Sequence, residues 1–193
     1  MANTEVYISV DIEASGPCPP AYSILSIGAC LVGDDSGTSF YAEVRPISEQ
    51  IVDEAMKVVG KPLEYFTANG REAKVAMAEF EKWIKSVSHE RRPVFVGFNA
   101  AFDWAFINWY FHTYLGRNPF GIGPIDIKSY FMGLKGGSWE DTRSSRIPER
   151  FKGTAEQTHN ALDDARSQAQ MFERMLRHAK GRHQVAACRA RRR

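Results

Sequence analysis

The sequence predicts an α/β fold built around a mixed β-sheet that is flanked by α-helices. Residues 6–12 form the run VYISVDI, which is rich in β-branched and aromatic side chains and soon followed by Gly and Pro; it predicts a buried first strand. Residues 23–32 and 38–45 predict two more strands around a turn at residues 33–37. Helices then alternate with strands along the chain, and this order implies a sheet covered by helices.

The second half of the chain supplies the remaining elements. A helical period over residues 74–87 leads to a fourth strand, VFVGF, at residues 94–98. A short fifth strand is expected at residues 125–127, before a helix at residues 129–134. The polar, Gly-rich stretch from 135 to 153 has no period and predicts a mobile loop. The last helix is expected to end near its final stripe residue, and its packing stripe consists of apolar residues three and four apart: Leu162, Ala165, Ala169, Phe172, Leu176 and Ala179.

Four carboxylates and one histidine occur in three short segments. The segment VDIEASG contains Asp11 and Glu13, and the segment GFNAAFDWAFI contains Asp103. The segment HNALDDARSQA contains His159 and Asp164. Acidic side chains within apolar stretches are costly to bury, because an unpaired carboxylate loses its water. Proteins retain such groups where a bound cation offsets the charge, so the set indicates a divalent-metal site.

The predicted elements present these side chains at their ends. Asp11 and Glu13 are two residues apart on a strand, so both point to the same side of the sheet. Asp103 follows the strand at residues 94–98 and opens a helix expected to end near residue 115. Asn99 is a candidate N-cap for that helix or for the turn before it. Asp164 lies in the first turn of the last helix, beside its packing stripe, and the histidine of this segment lies just before that helix.

The order D-x-E, then N-x-x-F-D, then H-x-x-x-x-D resembles the DEDDh group of 3′-5′ exonucleases. The resemblance covers residues 6–176, which is most of the chain. It implies a ribonuclease H-like sheet flanked by helices and the hydrolysis of single-stranded nucleic acid from its 3′ end, with release of 5′-mononucleotides. It is also compatible with a homodimer.

The resemblance further implies a role for each motif residue. Asp11 would bridge two divalent cations, Mg²⁺ or Mn²⁺, which stabilise the attacking and leaving oxygens of an in-line displacement. Glu13 and Asp164 would complete the site of the first ion, and Asp103 would hold the second. His159 would take a proton from the attacking water. Family spacing places the last ligand five residues after the histidine, which selects Asp164; Asp163 is then expected to be a solvated acid.

The substrate contacts depart in part from the commonest family pattern. Many members read D-x-E-T-T-G, whereas Ala14, Ser15 and Gly16 follow the glutamate here, and a proline-rich turn comes next. In the family, backbone groups at these positions hold the terminal nucleotide and a nearby apolar side chain wedges against its base. Tyr22 is a candidate for that wedge. The residues expected to contact substrate are Ala14, Ser15, Gly16, Asn99 and Trp104.

Aromatic residues near the second motif could serve either of two roles. Phe98, Trp104 and Phe106 could stack on bases, at ~1–3 kcal/mol per base. Core packing is the favoured reading for Phe98 and Phe106, whereas the two readings are balanced for Trp104.

Other interpretations stay open at this point. Taken singly, Asp11 could be a strand-end turn residue, Asp103 an acid favoured by the helix dipole, and His159 a capping or core residue. A nucleic-acid binding module without metal, on the same fold, is one alternative function. A phosphodiesterase acting on dinucleotides or short oligoribonucleotides is another.

Length and composition add limits. A chain of 193 residues suits one domain, expected at residues 1–180, with a flexible basic tail at residues 181–193. No run of 18 apolar residues and no secretion leader is found, so no membrane association is expected. Three widely spaced cysteines favour a reducing, cytoplasmic location over a disulfide framework.

The net charge of +2 is unevenly distributed. Seven basic residues and no acid lie from Arg177 onwards, which leaves 18 Lys and Arg against 23 Asp and Glu, or −5, for residues 1–176. Four of these acids are the proposed metal ligands. The tail could bind phosphate backbones through counterion release or could simply aid solubility.

Overall fold

A computed structural model of the protein describes residues 4–34, 36–153 and 159–190, and for residues 182–190 it describes the backbone alone. Within these residues a single sheet consists of β1 (Glu5–Ala14), β2 (Ile24–Leu31), β3 (Ser39–Glu43), β4 (Arg92–Gly97) and β5 (Ile125–Asp126). The same described residues form the helices α1 (Asp53–Val59), α2 (Leu63–Asn69), α3 (Ala73–Ser88), α4 (Ala101–Leu115), α5 (Ile127–Lys135) and α6 (Ala161–Ala190).

The sheet is mixed, as predicted. Its strand order is β3-β2-β1-β4-β5, with β1 at the centre. The three N-terminal strands form an antiparallel meander, whereas β4 pairs parallel with β1 and β5 pairs parallel with β4. Parallel neighbours need a crossover connection, and the chain from β3 to β4 supplies one that contains α1, α2 and α3.

Alternation along β1 separates two helical layers. Ile8, Val10 and Ile12 point to one side, where they join the main hydrophobic cluster with residues of α3 and α4. On the other side the Tyr7 ring meets the edge of Phe172 of α6, with the ring centroids 5.7 Å apart. Side chains two apart on a strand share a face. The odd-numbered residues of β1, which include both acids of the first motif, therefore face α6.

The close approach of α6 to the sheet depends on a glycine in β2. Gly28 is the register partner of Asp11, and a Cβ added at this glycine would lie 2.2 Å from the backbone of Ala161, where α6 begins. A side chain of any size would push the first turn of α6 away from the sheet. Gly28 therefore sets the distance between the acids of β1 and those of the last helix.

Three features differ from the sequence prediction. The last helix continues to Ala190, so its predicted end near Ala179 is wrong; the extension is rich in Ala and Arg, which favour helix without an apolar stripe. Helices α1 and α2 were not predicted, and α1 buries no residue, so it leaves no periodic signal. The predicted loop at residues 135–153 contains two short 3₁₀ helices, Trp139–Thr142 and Ser144–Arg146.

Some predictions fall outside what the structure covers. Asp35 of the predicted turn and the last three residues of the predicted tail, 191–193, lie outside the described residues. The assignment of residues 181–193 as a flexible tail stays a prediction. None of the helices in the described part of the chain has the length and apolar character needed to cross a bilayer.

Candidate active site

Three carboxylates converge at the end of β1 and the first turn of α6. Oxygen atoms of Asp11, Glu13 and Asp164 all lie within 4.8 Å of one another. Two of these residues come from one face of β1, and the third comes from the helix that Gly28 allows to lie directly above the sheet. The structure thus brings together side chains that are separated by about 150 positions in the sequence.

Asp103 adds a fourth carboxylate from the first turn of α4. Its side chain is buried, and its Oδ1 accepts a hydrogen bond from the backbone amide of Ile12, at 3.0 Å. Ile12 lies between the two acids of β1, so this bond fixes the start of α4 beside them. We refer to Asp11, Glu13, Asp103 and Asp164 together as the carboxylate cluster.

The electrostatics of the carboxylate cluster are those of acids held in close proximity. Burial, and then repulsion from Asp103, Glu13 and Asp164, raises the pKa of Asp11 well above its ordinary range. Burial, with added repulsion from Asp164 and Asp103, raises the pKa of Glu13 to about 8. Burial also raises the pKa of Asp103 to about 7, although the Ile12 amide opposes that shift.

The cluster suits divalent cations. Within the described residues Asp11, Glu13 and Asp103 take part in no ion pair with lysine or arginine. Carboxylate oxygens are the ligands that hard cations such as Mg²⁺ prefer. A bound cation would compensate the repulsion that raises the pKa values of these groups, so the donor set and the electrostatics agree.

Gln168, which the sequence motifs did not predict, supports the carboxylate cluster. Gln168 is nearly fully buried on α6, one turn after the last acid of the cluster. Its Nε2 donates to Oδ1 of Asp11 at 2.6 Å, and its Oε1 accepts from the backbone amide of Phe98 at 2.9 Å. One side chain therefore orients Asp11 and ties the end of β4 to α6. Its only sequence signal is the i+4 spacing from Asp164.

His159 lies at the edge of the cluster. It is exposed, has a positive φ of 53°, and precedes Asn160, whose Oδ1 accepts from the amide of Leu162 at 3.0 Å at the start of α6. His159 and Glu13 line the same small cavity, of about 50 Å³. The imidazole is thus open to solvent and borders the same cavity as Glu13.

The two adjacent acids of the third motif occupy different environments. Asp164 is buried, with 8% of its surface exposed. The Asp163 carboxyl is 44% exposed and lies 3.4 Å from the guanidinium of Arg166. Successive residues on a helix are turned by about 100°, which accounts for the difference. The rotation agrees with the choice of Asp164 as the cluster member.

Comparison with known proteins identifies the family. The family model described as the 3′-5′ exoribonuclease Rv2179c-like domain matches residues 6–176. The chain belongs to this exonuclease family. The 3′-5′ DNA exonuclease Cap18 of Escherichia coli is 50% identical over 169 residues, which cover 87% of this chain and 90% of that protein.

Solved structures agree on the fold. The nuclease domain of 3′hExo, a DEDDh family member bound to rAMP, superposes with a TM-score of 0.73 at 18% identity and covers 91% of this chain and 94% of that one. E. coli Exonuclease I in complex with a dA16 oligonucleotide gives a TM-score of 0.61 at 14% identity and covers 88% of this chain and 40% of that one. The predicted ribonuclease H-like, DEDDh-type exonuclease fold is confirmed, as is the prediction of a 3′-5′ exonuclease.

In this exonuclease the residues after Glu13 are shaped largely by internal contacts. The Ser15 amide donates to the Ser23 carbonyl at 2.9 Å, and its hydroxyl donates to the Gln50 carbonyl at 2.9 Å. The single amide hydrogen of Ser15 is therefore already used. A Cβ added at Gly16 would lie 2.2 Å from the Tyr22 ring, so this glycine lets Tyr22 pack over the end of β1. Tyr22 is the candidate for the side chain that wedges against the terminal base, and that role stays a prediction.

The residues of the second motif fall into core and surface positions. Phe106 is fully buried, so its core reading is confirmed. Trp104 is partly buried and meets the ring of Phe95 edge-on, with centroids 5.3 Å apart. Asn99 is exposed in the turn before α4, with a φ of 64°. The N-cap of α4 is Ala100 without a side-chain bond, so the predicted capping of this helix by Asn99 is wrong.

Proposed function

We propose that this protein hydrolyses single-stranded nucleic acid from the 3′ end and releases 5′-mononucleotides with the aid of two Mg²⁺ or Mn²⁺ ions. The observation that carries the proposal is the convergence of Asp11, Glu13 and Asp164, with Asp103 fixed beside them. Family membership supplies the 3′-5′ exonuclease class. The cluster supplies the reason for a metal requirement, since its buried and half-buried acids repel one another.

Each acid has a distinct proposed task. The bound ions would supply positive charge that draws the scissile phosphate into place and stabilises the attacking and leaving oxygens. Asp11, which is held by Gln168, would bind both ions. Glu13 and Asp164 would complete the first ion site, and Asp103, already held by one backbone amide, would bind the second. Rigid orientation of these oxygens favours the reactive geometry.

His159 is the proposed proton acceptor. An imidazole nitrogen can take a proton from water at neutral pH, and general bases must reach the water that they activate. His159 is exposed and lines the same cavity as Glu13, which supports this role. The Asn160 cap fixes the start of α6 immediately after it.

DNA is the proposed preferred substrate. The relative that is 50% identical is named a DNA exonuclease, whereas the family is described as an exoribonuclease. Backbone around Ala14, Ser15 and Gly16 and the side chains of Asn99 and Trp104 are the proposed contacts with the terminal nucleotide.

We also propose a cytoplasmic location and a homodimer. Cys18 and Cys30 are free thiols, which suits a reducing compartment. Sedimentation of the purified protein would measure its oligomeric state.

A labelled-strand assay tests this function. Matched 5′-labelled DNA and RNA single strands and a dinucleotide are incubated with protein and Mg²⁺ or Mn²⁺, and product lengths are read on a gel. A ladder that shortens from the 3′ end and stops with EDTA is expected, with DNA cleaved faster than RNA. Asp11→Asn serves as the inactive control. Cleavage of a 3′-blocked strand at internal positions would contradict the proposal, and cleavage of the dinucleotide alone would favour a small-substrate phosphodiesterase.

A further inference from the structure

A single lysine lies between two aromatic rings next to the carboxylate cluster. The Nζ of Lys128, in the first turn of α5, lies 4.1 Å from the ring centroid of Trp139 and 5.9 Å from that of Phe98. An ammonium at such distances is attracted by the ring quadrupole. Trp139 is 52% exposed, which is unusual for a tryptophan held in an ordered segment. We call Phe98, Lys128 and Trp139 the aromatic–lysine face.

Local hydrogen bonds fix the three residues in place. Asp126 caps α5 by accepting from the Ser129 amide at 2.9 Å, and its other oxygen accepts from the Ala100 amide at 3.0 Å. The starts of α5 and α4 are thereby joined. Ser138 and Asp141 form a capping box around the 3₁₀ helix that begins at Trp139. The face is thus a preformed surface, with little ordering left to occur on binding.

The aromatic–lysine face lies next to the carboxylate cluster. The Phe98 amide donates to Gln168, and the same glutamine side chain donates to Asp11. The side chain of Gln168 therefore connects Phe98 to Asp11. Because β4 lies on the opposite side of β1 from β2, the face and the segment around Gly16 and Tyr22 lie on opposite sides of the cluster.

The charge of Lys128 is available to a ligand. In the part of the chain that the structure describes, its ammonium forms no ion pair, whereas the nearby Arg143 and Arg146 both pair with Glu140. An unpaired cation beside an exposed indole matches single-stranded nucleic acid, which offers a phosphate and an aromatic base in every nucleotide. Base stacking on aromatic side chains and neutralisation of phosphates are the two main sources of affinity for single strands.

We propose that the aromatic–lysine face binds the substrate strand upstream of its 3′-terminal nucleotide. Lys128 contacts a phosphate there, and a base stacks on the open surface of Trp139. The strand then runs from the Gly16 side, where its 3′ end lies, across the carboxylate cluster to Phe98. This inference rests on the proposed function and extends it, because it makes a strand of several nucleotides a better substrate than a single phosphodiester.

Kinetics on a long and a minimal substrate test the face. Trp139→Ala and Lys128→Gln are compared with wild type on a thymidine decamer and on the p-nitrophenyl ester of thymidine 5′-monophosphate, which has no upstream nucleotide. For the decamer each variant is expected to raise KM roughly five- to tenfold with kcat unchanged. Lys128→Gln should also lower the salt slope of binding by about 0.7. Hydrolysis of the ester should be unchanged.

Matched variants separate the proposed contacts from general effects. Trp139→Phe and Lys128→Arg retain a ring and a cation, and both should largely restore the decamer KM. Lys74→Gln removes an exposed lysine from α3, on the other side of the sheet, and should leave KM unchanged. Thermal unfolding of each variant, monitored by circular dichroism, verifies that the fold is retained.

Direct binding keeps the test independent of catalysis. Fluorescence anisotropy of a 5′-labelled decamer, with Ca²⁺ replacing Mg²⁺, measures the affinity of each protein even if the wild type hydrolyses neither substrate. If the wild type hydrolysed neither substrate, the proposed function would be overturned. The decamer affinities of the variants would then still test the aromatic–lysine face. Equal decamer affinity and KM in wild type, Trp139→Ala and Lys128→Gln would overturn the face. Equal losses on decamer and ester would place the residues at the scissile nucleotide and would also contradict it.

Discussion

The carboxylate cluster and the aromatic–lysine face are neighbours that meet a polyanion in opposite ways. The cluster consists of mutually repelling acids whose charge is costly in the absence of a cation. The aromatic–lysine face combines the half-buried Lys128, whose ammonium lies over the Trp139 ring, with the exposed indole of that tryptophan. The cluster can therefore act on phosphate only through bound ions, whereas the face contacts nucleic acid without an intermediary.

This contrast separates chemistry from affinity. Contacts that exist only around the reacting phosphate lower the barrier, while contacts along the rest of the strand bind substrate and transition state equally. Substitutions in the cluster should therefore reduce kcat, and substitutions in the aromatic–lysine face should raise KM. Gln168 contacts both regions, so it is the residue at which this separation is most easily tested.

The largest effect is expected from the two adjacent acids of α6. Asp164→Asn should reduce activity to the level seen with EDTA, because it removes a buried cluster oxygen. Asp163→Asn is the matched control and should be nearly silent, since the exposed ion pair that it weakens with Arg166 is worth about 0–1 kcal/mol. Single-strand degradation measures both. Equal loss in the two variants would show that the rotation of α6 is not what selects the ligand.

A thermal-unfolding measurement excludes misfolding as the cause. Asp164 contributes to the repulsion that raises the pKa values of Asp11 and Glu13. Replacing it by a neutral amide should therefore leave the metal-free protein at least as stable as wild type at pH 8. A marked drop in Tm would mean that activity was lost through the fold.

The next effect in size concerns His159. His159→Ala should lower kcat by ~10²–10⁴-fold, as expected for the loss of a general base, while the Mn²⁺ concentration giving half-maximal activity stays the same. The exposed position of the imidazole predicts little change in stability. Metal titration of the single-strand assay provides the readout. A large rise in the required Mn²⁺ would make the histidine a ligand and move it into the cluster.

A smaller effect is expected at Gln168. Gln168→Leu keeps the volume of the side chain but removes the bonds to Asp11 and to the Phe98 amide. Residues that orient metal ligands typically contribute about 10–100-fold to metal affinity or activity. The variant should need more Mn²⁺ and recover part of its kcat at high Mn²⁺, which a purely structural defect would not do. Unchanged metal dependence would reduce Gln168 to a packing residue.

The sequence predicted those parts of the site that depend on local patterns. Alternation along β1 placed Asp11 and Glu13 on one face, and the spacing of the family motif selected Asp164 over its neighbour. Both patterns are local, because each depends on residues only a few positions apart. The same reasoning identified the central strands and the mixed sheet.

Other features depend on tertiary contacts that leave no local signal. Gln168 reads as an ordinary polar residue of a helix, and the need for Gly28 arises only when α6 lies across β2. Lys128 and Trp139 lie eleven positions apart, in a helix and in a segment predicted as a loop. Their contact follows from the turn that joins these elements, and hydrophobic periodicity carries no information about such a turn.

The smallest expected effect is a pH-dependent stabilisation of the folded protein by metal. It should depend on the carboxylate cluster and not on the aromatic–lysine face. The pKa of Glu13 is raised to about 8 and that of Asp103 to about 7, against roughly 4 in an unfolded chain. Between these values the folded protein holds protons that the unfolded chain has released. As far as these groups decide it, the stability of the metal-free protein should therefore be greatest below about pH 4 and should fall as the pH rises to about 8.

Divalent cations should restore the lost folding stability most strongly at pH values where Glu13 and Asp103 are already deprotonated. At pH 8.5, Mn²⁺ at roughly 100 times its Kd should raise Tm by about 5–10 °C, and at pH 6 by clearly less, because the ion must displace protons there. Lys128→Gln should show the same shifts as wild type, whereas Asp164→Asn should lose most of the shift at pH 8.5. Thermal unfolding at both pH values, with EDTA as the reference, makes the measurement. A metal shift that is equal at the two pH values would show that cation binding is not coupled to the acids whose pKa values burial and repulsion raise.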